Sequence, residues 1–192
     1  MNEKNKAMII SHVALMGLIC ILSCVSAGII FSGSIPKGYE VYTEAHKNAS
    51  FIIGFSHTAN AIALICGIIY MLKGSGKNVA GLYKAFLLLA TVGLALRLAG
   101  KLVFPGFDVS AALMIGSLLM LLTLTFVKDL GKTKTLAAFY TLFALDVALA
   151  ILGFDSREAL SSIASGLTRL VLDGTIGIAI TLKYKDKAAR GK

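Results

Sequence analysis

The chain has 192 residues, 57% of them hydrophobic, with no Trp, two Pro and a mean hydropathy of +0.82, which is far more apolar material than one soluble core of this size can bury. The formal charge of +9 invites a nucleic-acid reading, but the basic residues cluster in alternate connections between apolar runs and at both ends. That pattern belongs to a membrane protein, so nucleic acid is excluded as the expected partner and the lipid bilayer takes its place.

Membrane spans need about 20 apolar residues to cross roughly 30 Å of hydrocarbon. Six runs qualify, at residues 8–31, 51–72, 82–104, 109–127, 135–153 and 159–183. The sequence therefore predicts an all-α integral membrane protein, a single transmembrane domain over residues 1–192. Its helices are expected as three successive hairpins, each crossing outward and returning.

The first run follows "MNEKNK" and includes "ILSC" ending at Cys24, which together imitate a signal peptide or a lipoprotein box. The run is too long for a signal core, and removing it would set the remaining charges against the topology, so it is read as a retained first helix. His12 and His57 are expected at opposite depths, which rules out a haem held between them. Cys20, Cys24 and Cys66 are read as small buried hydrophobic residues.

The first connection, "SGSIPKGYEVYTEAHKN", contains Glu40, Glu44 and His46. A divalent-cation site there is a minor reading, because i,i+4 carboxylates are common on surface helices. "NAS" at 48–50 matches a glycosylation pattern but abuts the second span and is taken as chance. On that span Ser56, Ala59, Asn60, Ala63 and Gly67 form a small-and-polar stripe, the pattern of close helix packing with an amide hydrogen bond. His57 lies beside it, as a hydrogen-bonded structural histidine or, less simply, a proton carrier.

In the third span Ala90, Gly93, Arg97, Gly100 and Lys101 fall on a comparable stripe. The turns "FPGFD" (104–108) and "LGFD" (152–155) resemble each other and raise an ancestral hairpin repeat as one option. The excess "SREALSSIAS" before the sixth span starts as an interfacial helix, with Ser156 as its N-cap. Lys73, Lys77, Lys84, Lys128, Lys132 and Lys134 occupy alternate connections, and five more Lys and Arg residues the tail, so both termini are expected to be cytoplasmic.

Four charges stand out deep inside spans, where a charge at mid-helix costs about 2.5–3.5 kcal/mol on insertion scales. They are Arg97, Asp146, Arg169 and Asp173. Counted from the outer turns at 1.5 Å per residue, the first three lie at about the same depth and Asp173 about 6 Å further in. A neutral ladder is therefore expected, with Arg97 and Arg169 sharing Asp146. On the sixth helix Ser162, Gly166, Arg169, Asp173 and Gly177 share a face, and Val171 is expected to face lipid.

Two accounts of the ladder stay open. One is an internally compensated clamp that fixes helix register in a scaffold or stress protein. The other is a pathway for an ion or small anionic or polar solute, with Lys101, His57 and Asn60 as accessory groups. Motifs for metal-dependent hydrolysis, phosphate-loop binding and nucleophilic catalysis are missing, so no enzyme, cofactor or metal is expected. Solute binding or transport is the leading reading, in a bacterial cytoplasmic membrane, as a homo-oligomer or with a partner membrane subunit. The three-hairpin plan is superficially similar to acid-resistance-type six-span proteins and to the substrate-binding components of bacterial vitamin transporters, without a shared motif.

Overall fold

A computed structural model describes residues 3–32, 44–73, 79–127, 130–152 and 159–190. Among these residues the secondary structure is helical, in six segments: α1 (Glu3–Phe31), α2 (Glu44–Lys73), α3 (Val79–Val103), α4 (Val109–Phe126), α5 (Gly131–Leu152) and α6 (Ala159–Arg190). All six are long and apolar enough to cross a membrane. Backbone donors and acceptors have no water to bond in hydrocarbon, so a spanning chain must satisfy them within each helix.

The apolar runs locate the helices well and their starts less well. α2 begins at Glu44 and α5 at Gly131, before the apolar residues that mark the spans, because polar first turns project from the hydrocarbon without cost. The α3–α4 turn is fully described. The Gly106 N–H closes back on the Lys101 carbonyl at 2.9 Å, and Gly106 itself has φ +111°, a conformation that disfavours any side chain. Asp108 then caps α4, its carboxylate accepting from the Ala111 N–H at 2.9 Å, as short acidic side chains do at helix starts.

Each helix packs against its neighbours in sequence, and α6 returns against α1 to close a ring. The most extensive contact joins α2 and α3. Its closeness comes from the small residues of both stripes: a β-carbon on Gly100 would meet Ile53 at 2.8 Å and the Ala49 carbonyl at 3.0 Å, and one on Gly93 would run into the Asn60 amide. Ser56 locks the seam by donating to the Gly93 carbonyl at 2.6 Å. The amide oxygen of Asn60 does not make the expected hydrogen bond among the described residues. Asn60 packs its amide oxygen on Gly93 and leaves it without a partner among the described residues, since the glycine surface offers shape but no donor.

The interior contains Met16, Ile19, Leu64, Phe86, Leu94, Leu142 and Ile176, while Leu18, Ile21, Phe55, Ile65, Val92, Leu119 and Ile151 are exposed apolar side chains. That outward apolar coat is the surface a bilayer covers, and the chain is a multi-pass membrane protein in contact with lipid. Cys24 belongs to the exposed coat, in contrast to the burial expected of it, and Cys20 and Cys66 are half-buried; all three are free thiols. Val171 corrects the helical-wheel reading in the opposite sense. It is 5% exposed and packed in the core, because α6 contacts α1, α2 and α5 and has little face left for lipid.

Candidate functional site

The ion pair at the centre of the site joins the fifth and sixth helices. Arg169 donates from Nε at 3.0 Å and Nη2 at 2.8 Å to the same oxygen, Oδ2, of Asp146. The other Asp146 oxygen accepts from the Ser117 hydroxyl of α4 at 2.7 Å. Asp146 is 1% exposed and Ser117 is fully enclosed, so the carboxylate has exchanged its hydration for three protein donors. Such compensation makes a buried charge tolerable.

Beside this pair is a half-enclosed cavity of about 140 Å³, bounded by parts of α2 to α6. Arg97 and Lys101 line it from α3, Ser110 from α4, Asp146 from α5, and Ser162, Ser165 and Arg169 from α6. It extends from the α3–α4 turn inward to the ion pair. Asp146 lies about 9 Å along α5 from Leu152, counted at 1.5 Å per residue, so the cavity penetrates roughly a third of a bilayer's hydrocarbon.

At the turn end, Lys101 Nζ is 2.8 Å from Asp108 Oδ2, and Ser110 donates to Asp108 Oδ1 at 2.7 Å. The hydrogen bond from Lys101 is the largest influence holding the Asp108 carboxyl well below the usual carboxylate range; those from Ser110 and the Ala111 backbone act in the same direction.

The structure thus gathers Arg97, Asp146 and Arg169 around one cavity, with Lys101 at its outer part. Asp173 stands apart from the lining. It is 2% exposed, lies close to Asp146, and has one oxygen without a hydrogen-bond partner among the described residues. Below it the small-residue stripe is closed, because the Phe139 ring fills the place a β-carbon on Gly177 would take, 2.8 Å away. Ser162 and Gly166 border space; Gly177 borders a ring.

Asn60 packs against Gly93 in the α2–α3 seam, and neither it nor His57 is part of the lining. His57 is 2% exposed and within electrostatic range of Arg97, yet neither ring nitrogen has a hydrogen-bond partner among the described residues, contrary to the expected bonded histidine. The proposed cation site in the first connection falls partly on Glu40, outside the described residues. His46 packs on the Phe104 ring at 4.7 Å, and no cluster of metal-binding side chains occurs among the described residues.

Ser117, which bonds Asp146, and the lining serines Ser110 and Ser165 are site residues that sequence reasoning missed. A single serine in the middle of an apolar span carries no pattern, although its position in mid-helix is a weak signal of a polar partner. The same is true of the α1–α6 contacts. His12 Nε2 lies 3.0 Å from the Thr175 hydroxyl, and the Ser23 and Thr168 hydroxyls are 3.1 Å apart.

No protein family, curated protein or solved structure matches the chain.

Proposed function

We propose that this multi-pass protein binds a small anionic or polar solute in the α2–α6 cavity and carries it across the membrane. The observation that supports this most is the composition of the lining, where three cations border a half-enclosed space with a single carboxylate, Asp146, among the described residues. A cationic, partly dehydrated recess concentrates anions because the low-dielectric walls focus its field. In this reading the cavity is the outer vestibule, the Arg169–Asp146 pair is its floor, and passage requires that pair to separate while Asp173 takes part beyond it. The orientation follows from the lysine distribution: both termini cytoplasmic, the α3–α4 turn external, in a bacterial cytoplasmic membrane.

A structural clamp is the second reading, and a specific observation favours it: both oxygens of Asp146 already have donors. Flux measurements on proteoliposomes separate the two. A carrier gives saturable solute uptake that falls in Arg97→Gln while the protein stays folded. A scaffold gives no uptake in either protein. Thiol labelling adds a local test in a cysteine-free background: cysteines at Ser162 and Gly166 react with water-soluble reagents if the recess is hydrated, and those at Val171 and Gly177 do not.

A further inference from the structure

We propose that the ligand of this cavity is an oxyanion of the phosphate or sulfate type, an inference that rests on the solute-binding reading and narrows it to one substrate class. The first reason is the donor inventory. Arg169 commits Nε and Nη2 to Asp146, which leaves Nη1 as a charged donor on a residue of the lining. Lys101 has three ammonium protons and one carboxylate partner, Asp108. Ser165 is 5% exposed, lines the cavity, and makes no hydrogen bond among the described residues.

The acceptor inventory is the second reason. Asp146 has a donor on each oxygen, and Asp108 at the turn is occupied by Lys101, Ser110 and the Ala111 backbone. A cationic ligand would find both carboxylates taken. A neutral polyol would leave charged N–H groups without acceptors. Sulfate offers acceptors alone and phosphate mostly acceptors, in a geometry that guanidinium and ammonium groups bind through short charge-assisted hydrogen bonds. Size agrees with this class. The volume of about 140 Å³ far exceeds the roughly 10–15 Å³ that one water needs, so a tetrahedral ion fits with part of its hydration shell.

The phosphate could be free in solution or belong to a lipid headgroup, since the recess begins at the α3–α4 turn near the membrane surface. The test uses the full-length protein in a neutral detergent, with thermal unfolding followed in inorganic phosphate, sulfate or chloride at matched ionic strength. Binding to the folded state raises the midpoint by mass action. Phosphate or sulfate should stabilise the protein and chloride should not. Ser165→Ala should weaken the apparent affinity about fivefold, the worth of one hydrogen bond, and Arg97→Gln should abolish the effect.

Vesicles of phosphatidylcholine alone, or mixed with phosphatidylglycerol, separate the sources. Loss of phosphate stabilisation in the mixed vesicles assigns the site to a headgroup, and its retention assigns it to a free ion. Equal stabilisation by chloride, or an oxyanion response unchanged in both variants, overturns the proposal. If a neutral solute is taken up and oxyanions have no effect, the oxyanion inference fails and the carrier reading survives. Absence of both uptake and binding removes the two together.

Discussion

Arg169 reaches across from α6 and places two of its nitrogens on one oxygen of Asp146 in α5, at 3.0 and 2.8 Å. Removing one partner of such a pair leaves a charge stranded in a medium that cannot solvate it, at a cost of about 3–5 kcal/mol. Asp146→Asn is therefore expected to destabilise the protein strongly. Asp146→Asn with Arg169→Gln should lose less than the sum of the two single changes. A detergent-based unfolding cycle measures the coupling, and additivity would mean that the pair contributes nothing as a pair.

The α2–α3 seam makes a steric prediction. Gly93→Ala places a methyl group against the Asn60 amide and should cost about 1–3 kcal/mol through overpacking. Asn60→Ala in the same chain should restore most of that loss, because the obstructing atoms are those of the amide. The check is the unfolding midpoint of the single and double variants; a double variant no better than Gly93→Ala alone would place the obstruction elsewhere.

Asp108 sets a pH dependence. Its carboxyl is held below the usual range first by Lys101 and also by Ser110 and the Ala111 backbone, so the folded state binds its proton less readily than the unfolded chain. The stabilisation is fully present above the unfolded pKa of about 4 and is lost as the pH falls through that value toward the lower folded one. Asp108→Ala should cost about 1 kcal/mol near neutral pH and progressively less in acid. Unfolding curves of the two proteins between pH 7 and pH 3 should converge; a constant gap would refute the linkage.

Orientation can be read chemically in intact cells. A cysteine introduced near Tyr42 should be labelled by an impermeant thiol reagent, whereas one at Lys132 should be labelled only after the membrane is opened. The reverse pattern would overturn the charge-based topology.

The spans were legible because hydrocarbon thickness demands long apolar runs, and of the expected sharing of Asp146 by Arg97 and Arg169 the Arg169 part was legible because depth can be counted along a helix. What lies around a helix is not written in its own periodicity. The wheel assigned Val171 to lipid by opposing it to Arg169 and Asp173, but α6 touches helices on more than one side and Val171 is enclosed. Ser117 was invisible for a related reason: its role is defined by a carboxylate on another helix. The small residues of α3 were correctly read as a stripe, yet the structure divides their work, with Gly93 and Gly100 serving the α2 seam while Arg97 and Lys101 line the cavity.

The closure of α6 against α1 also bears on how the protein is made. The bonding partners of Ser23 and His12, Thr168 and Thr175, are separated from them by 145 and 163 residues. During synthesis α1 to α5 enter the membrane while those side chains still lack their partners. The Arg169 wall of the cavity does not exist until the same late event. Docking of the sixth helix therefore satisfies polar groups of the first and completes the cavity together. Until then His12 and Ser23 of the first helix lack those partners.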